Sequence, residues 1–278
     1  MGEPRLIPTP NQPFLGYRLA RLNTQEFLDL VLKAAEERTE PLRVGYLNAA
    51  QVNLAFADPD HARRLGQMDC LYADGQAVVW AVRWRGGRLP ERINAGDFTR
   101  SLIRSLAERG LRLALVGGRP AAEGHPSEAD RAARCFREWA PVLNVVLTHH
   151  GYLDDAASER LPEALEAADP DLVLLGMGAP LQERRGLEWA DGGKPRVWWC
   201  VGALFEYYAA TRLRAPRWMR RVGLEWLFRL ALEPRRLFRR YVLGNPLFAW
   251  RAWLGRRPKG LVASPNQDEP AGREGPKN

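Results

Sequence analysis

Five short apolar runs, each followed by a helix-compatible stretch, constrain this chain more than any other feature. They read LRVGYLNA (residues 42–49), LRLALVGG (111–118), LNVVLTHHG (143–151), DLVLLGMG (171–178) and RVWWCVGA (196–203). Continuous runs of this length suit strands buried on both faces, and their alternation with helical patterns is the mark of βαβ units in a mostly parallel sheet. The expected fold class is α/β, a Rossmann-like sheet flanked by helices. Helix starts are legible as well. Asn23-Thr24-Gln25-Glu26 has capping-box spacing ahead of FLDLVLKAAEE, and Asp58-Pro59 offers a cap and a first-turn proline ahead of DHARRLGQM.

The flanks read differently. Residues 1–16 form a proline-rich stretch expected to be an irregular arm, residues 17–211 hold the α/β pattern, and residues 258–278 are expected to be a disordered tail. Between them, residues 212–257 lose the strand signal. RWMRRVGLEWLFRLALE spaces Met219, Val222, Trp226, Leu227 and Leu230 at helical intervals, Pro234 ends that helix, and PRRLFRRYVLG begins another. This is a C-terminal basic helical appendage. The net charge of +8 is concentrated here: residues 212–259 carry fourteen Lys/Arg against the two acids Glu225 and Glu233, together with four of the ten tryptophans. Arginine mixed with interfacial aromatics suits nucleic acid, anionic lipid or phosphate-bearing ligands, and composition does not choose among them.

Several classes are disfavoured. The first residues lack the basic start and apolar centre of a signal peptide, and no apolar run approaches a membrane span. Cys70, Cys135 and Cys200 have no CxxC spacing, so a reducing cytoplasm fits better than a disulfide framework or zinc ribbon. There is no P-loop, GxSxG or HExxH, and VGYLNAAQVN lacks the glycine fingerprint that a dinucleotide-binding oxidoreductase needs. Asp-Pro-Asp occurs at residues 58–60 and 169–171, where capping and turn formation explain it, and His149-His150 has no companion ligands at metal spacing. Neither a metal nor a cofactor is expected.

Asp74-Gly75 follows a short apolar run, and there it is either a turn or a carboxylate aimed at a substrate. Gly117 and Gly178 stand at strand ends, where glycine lets backbone approach phosphates and where α/β sheets bind ligands, although tight-turn geometry explains them equally well.

Taken in order, LNAAQVNLA, YADGQAVVWAVRWRGGRLPERINAGDF, LALVGGRP, HHGYLDD, DLVLLGMGAPLQE, CVGALFEYYAATRLRAPRWM and GLEWLFRLALEPRRLFRRY resemble the WecG/TagA/CpsF glycosyltransferases over about residues 18–245. The resemblance implies an inverting, metal-independent transferase. It would move a sugar such as N-acetylmannosamine or glucose from a UDP donor to a polyprenyl-pyrophosphate-linked saccharide, peripherally on the inner face of a bacterial plasma membrane. Carried onto this chain, it makes Asp74 the catalytic base, Asn48 the active-site Asn, Arg92 the Arg of the ER motif and Gln182 the Gln of the QE motif, beside Glu183. Arg229, Arg236 and Arg239 would close over the diphosphate, with Arg92 and Asp97 lining or bracing the same cleft. Tyr46, Glu206 and Ala209-Ala210 depart from residues common in the family, so the pocket is expected to differ. The partners implied are the UDP-sugar, the lipid-linked acceptor and an anionic membrane surface, not nucleic acid; a homo-oligomer is left open. The competing readings are an Arg/Trp-rich nucleic-acid-binding module and a membrane scaffold that uses only the appendage.

Chemically, displacing UDP with a sugar hydroxyl requires a base for the hydroxyl proton and a counter-charge for the departing diphosphate. Asp74 can supply the first. Arg236, Arg239 and Arg240, at i, i+3 and i+4, can supply the second.

Overall fold

The computed structural model describes residues 10–37, 40–122, 125–190, 196–211 and 213–261. Six parallel strands form the sheet: β3 (Leu42–Leu47), β4 (Cys70–Ala73), β5 (Arg112–Gly117), β6 (Asn144–His149), β7 (Leu172–Gly176) and β8 (Val197–Cys200), in the order β4-β3-β8-β7-β5-β6. Alternate residues face opposite sides, as the strand period requires. Val44, Tyr72, Leu115, Leu174 and Trp199 enter one apolar cluster with α1 (Thr24–Glu37), α5 (Ala95–Glu108) and α6 (Glu128–Trp139). Leu47, Leu71 and Ala73 enter a second cluster, and Val116, Leu175 and Trp198 a third, on the other face. Both faces are covered, which is why the strands read as continuous apolar runs.

The remaining helices of the sheet region are α2 (Ala49–Ala57), α3 (Pro59–Gly66), α4 (Gln76–Trp84), α7 (Asp155–Ala168), α8 (Leu181–Ala190) and α9 (Leu204–Tyr208). The capping box forms as spaced. The Glu26 N–H donates to Asn23 Oδ1 at 2.9 Å, and the Asn23 N–H donates to Glu26 Oε2 at 2.8 Å. Asp58 accepts from the N–H groups of Asp60 and His61, with Pro59 in the first turn of α3.

Three expectations are corrected. Residues of the supposed irregular arm form β1 (Asn11–Phe14), which pairs antiparallel with β2 (Tyr17–Ala20) through a turn at Leu15-Gly16. Residues 1–9 lie outside the described residues. The hairpin is held by packing: Phe14, Tyr17 and Leu19 are buried, and the Phe14 and Phe248 rings lie 6.4 Å apart. The start of the supposed tail is also packed, since Pro258 is buried and Leu261 lies against the second cluster; residues 262–278 are not described. Finally, the helix expected through Met219, Val222 and Trp226 is broken. Gly223, at φ +76°, separates α10 (Arg217–Arg221) from α11 (Glu225–Leu232).

Pro234 then opens α12 (Pro234–Phe238), and a π-helical turn over Arg239–Leu243 leads into α13 (Gly244–Leu254). Polar ties seat α13 on the sheet domain. Asn53 donates to Gly244 O at 2.7 Å, Arg251 to Asn53 Oδ1 at 2.8 Å, and Arg85 to Ala252 O at 2.9 Å. Arg212 lies outside the described residues.

Candidate active site

Asp74 is the first residue beyond β4. Its N–H donates to Leu47 O at 2.9 Å, so the sheet ladder runs one bond further and fixes where the carboxylate emerges. Asn48 occupies the matching place after β3. It caps α2, accepting from the Gln51 N–H at 3.0 Å, and its Nδ2 stands 3.5 Å from Asp74 Oδ2. The loop from α4 returns to the same spot because the Ile93 N–H donates to Ala73 O at 3.1 Å and the Ile93 side chain is buried. This puts Asn94 beside the carboxylate, and Asn94 Nδ2 donates to Asp74 Oδ1 at 2.8 Å. Asn94 is also the N-cap of α5, yet its side chain makes no cap bond and forgoes about 1 kcal/mol of ordinary helix stabilisation.

Burial pushes the Asp74 carboxyl above the usual carboxylate range; the Asn94 hydrogen bond opposes this, nearby Glu225 adds to it, and Arg92 and Arg229 oppose it again. These arginines belong to an ionic lattice that joins the sheet domain to the appendage. Arg92 and Arg214 each reach Asp97 at 2.6 Å, and Arg220 pairs with the same carboxylate. Arg92 also stands 3.8 Å from Glu225, to which Arg229 donates at 2.5 Å, and the Arg229 guanidinium lies 5.3 Å from the Tyr207 ring centre.

Two cavities meet at Asp74. One, of about 1120 Å³, lies over the strand ends and is lined by Gly118, Gly151, Gly176, Gly178 and Gly202, with Arg229, Arg236 and Arg240 from the appendage. The other, of about 550 Å³, runs between α4 and the appendage and is walled by Trp80, Trp84, Trp226, Tyr241 and Phe248. Asn48, Asp74, Asn94, Arg229 and Arg240 line both.

The other expected site residues fall into separate places. Asp97 lines neither cavity and is the hub of the arginine lattice, which is the bracing alternative of the sequence reading. Gln182 and Glu183 are wholly buried beneath the larger cavity. Gln182 accepts from the Gly202 N–H at 3.0 Å and donates to Tyr46 Oη at 3.3 Å, so it holds the β8 turn against β3. Glu183 Oε1 accepts from Gln51 at 2.7 Å and Gln182 at 2.8 Å, while Oε2 finds no hydrogen-bond partner among the described residues. Burial raises the Glu183 carboxyl as well. Gly178 lines the larger cavity at φ +77°. Gly117 does not line it; a side chain there would stand 2.4 Å from the Gly176 carbonyl carbon. Arg236 lines the larger cavity while paired with Glu233, whereas Arg239 lines neither and Arg240 lines both. Of the two Asp-Pro-Asp motifs, Asp58 caps α3, Asp169 pairs with Arg112, and Asp171 reaches Arg196 at 3.0 Å.

The family model for the glycosyl transferase WecG/TagA/CpsF family matches residues 12–260. The chain belongs to that family. It is a glycosyltransferase of cell-surface polysaccharide synthesis, and the family implies a nucleotide-sugar donor and a saccharide acceptor. For a WecG/TagA/CpsF transferase, two cavities sharing one carboxylate is a workable arrangement for two substrates. Sequence reasoning missed Asn94, Arg214, Arg220 and Glu225, and it reached Arg240 only through the helical face that Arg240 shares with Arg236 and Arg239. Asn94 alone carried a local signal, as an Asn heading a helix, and that signal pointed to a cap. Among the described residues no helix is long and apolar enough to cross a membrane.

Proposed function

We propose that this glycosyltransferase moves a sugar from a UDP donor to a saccharide carried on polyprenyl diphosphate, with inversion, without a metal, and with Asp74 as the general base. The observation that carries the reading is the position of Asp74 between a glycine-lined cavity edged by arginines and an aromatic cavity. The donor fits the first. The N-terminal ends of α2 and α8 border it, through Ala50 and Leu181, and their dipoles favour a diphosphate. Arg229, Arg236 and Arg240 are placed to take up the charge of departing UDP; Arg239 has no such support. The acceptor hydroxyl would come from the aromatic side and give its proton to Asp74, while its oxygen attacks the anomeric carbon opposite the leaving diphosphate. A carboxyl pushed up by burial is the stronger proton acceptor as long as it stays ionised at working pH.

The appendage also favours work at an anionic bilayer on the inner face of the plasma membrane. Leu243, which ends the π-helical turn, and Leu247, Trp250 and Leu254 on α13 recur at intervals of three and four and are exposed, with Trp253 beside them, among many arginines. A nucleic-acid module would leave the Asp74 arrangement without a task. The test is UDP release from a panel of UDP-sugars, with and without a short-chain lipid-diphosphate saccharide and with or without EDTA. Acceptor-dependent release that survives EDTA is expected. Release that ignores the acceptor, or that EDTA abolishes and Mg²⁺ restores, would contradict the reading.

A further inference from the structure

We infer that Asn94 is a positioning residue that fixes the Asp74 carboxylate and, through Arg214, ties its orientation to the seated appendage. The inference rests on the reading of Asp74 as the base. Its carrying observation is a side chain turned away from its ordinary task. Asn94 heads the fourteen-residue helix α5, but its side chain makes no cap bond and donates to Asp74 Oδ1 at 2.8 Å instead. Its own Oδ1 accepts from Arg214 Nη2 at 3.2 Å, and that same Nη2 reaches Asp97 at 2.6 Å. Arg214 Nη1 donates to Gly96 O, within the first turn of the same helix.

Both polar atoms of the Asn94 amide are thereby engaged, one by the base and one by the chain entering the appendage, so the amide cannot flip without losing both partners. Asp74 Oδ1 is occupied. Among the described residues Oδ2 meets just the long 3.5 Å approach of Asn48, which leaves it able to take a hydroxyl proton. If the appendage lifted, Arg214 would move with it and the amide would lose one of its two anchors.

The charged and titratable groups facing Asp74 are Tyr46 on β3, Tyr72 on β4, Arg92 in the loop before α5, and Glu225 and Arg229 on α11. Asn94 is uncharged and donates to the ionised carboxylate. Removing it therefore disfavours ionisation and moves the acid limb of activity to higher pH.

The experiment is the pH profile of kcat/KM for Asn94→Ala, Asn94→Asp and Asp74→Asn in the full chain, read as UDP release from a UDP-sugar with a lipid-diphosphate acceptor. Asn94→Ala should lose about 10- to 100-fold in kcat, the scale of one hydrogen bond to a charged group, with its acid limb at higher pH. Asn94→Asp keeps the shape and sets a second carboxylate against the first, so its limb should move further in the same direction. Should the alanine variant not fold, the aspartate variant carries the test alone. A loss of activity with an unmoved limb would show that Asn94 only supports the fold and would overturn the inference, as would a wild-type profile. Near-wild-type turnover by Asp74→Asn is a different failure, since it removes the base itself.

Discussion

Arg229 donates to Glu225 at 2.5 Å across one turn of α11, and both side chains line the cavity that Asp74 shares. Glu225 thus occupies the guanidinium proposed for the leaving diphosphate, and its charge helps to raise the Asp74 carboxyl. Glu225→Gln should have two effects. UDP should bind several-fold more tightly, because Arg229 no longer has an anionic partner within its own helix. The acid limb of kcat/KM should move to lower pH, because a like charge is gone. Calorimetric UDP titration and a pH profile check the pair, and a limb that moves upward would contradict it.

Glu183 is wholly buried, with one oxygen lacking a hydrogen-bond partner among the described residues and its carboxyl raised by burial. A group raised in the folded state contributes its stability below the unfolded pKa and loses it as pH rises through the folded pKa. Glu183→Gln does not titrate, and its carbonyl can still accept from Gln51 and Gln182. Its melting temperature should match wild type in acid and exceed it progressively above the ordinary carboxylate range. A gap that shrinks with rising pH would refute the assignment.

Gly117 and Gly178 are both left-handed, yet they differ in what surrounds them. A Cβ at Gly117 would lie 2.4 Å from backbone of Gly176, where the ends of β5 and β7 meet, whereas one at Gly178 meets none of the described residues within 4 Å. Gly117→Ala should cost about 2–4 kcal/mol by forcing the strands apart. Gly178→Ala should cost about 1–2 kcal/mol of backbone strain alone. Chemical denaturation of both distinguishes them, and equal losses would contradict the packing argument.

What the sequence allowed to be read follows from where the information lies. The five strand runs are apolar on both faces, so they stand out without any knowledge of neighbours, and Asn23 and Asp58 signal their helices through bonds three residues long or less. The β1-β2 hairpin has no such signal. NQPF holds a proline and two amides, and its order comes from Phe14 meeting Phe248, more than two hundred residues away. Gly223 hides in a helical period because periodicity counts apolar positions and not backbone angles. In the site, Asp74 was visible as an acid at a strand end and Arg92 through its motif. The Asn94 bridge was invisible, because its meaning depends on Arg214, 120 residues later.

Peripheral attachment to an anionic bilayer predicts that Trp250→Ala with Trp253→Ala weakens co-sedimentation with phosphatidylserine-containing vesicles. These rings are stacked at 5.2 Å and exposed on α13. Binding should fall with salt, since each engaged Lys or Arg is worth about 1 kcal/mol near an anionic surface. Equal binding to neutral and anionic vesicles would contradict the electrostatic part.

In the proposed reaction the carboxylate held between Asn48 and Asn94 removes the acceptor proton. The most direct measurement is UDP release by Asp74→Asn with UDP-sugar and lipid-diphosphate acceptor, alongside the UDP dissociation constant of the same variant. Turnover should be lower by about 10²- to 10⁴-fold with UDP affinity retained and a melting temperature at or above wild type at neutral pH, because the amide keeps the shape, carries no buried charge and cannot take a proton. Near-wild-type turnover by this variant would contradict it.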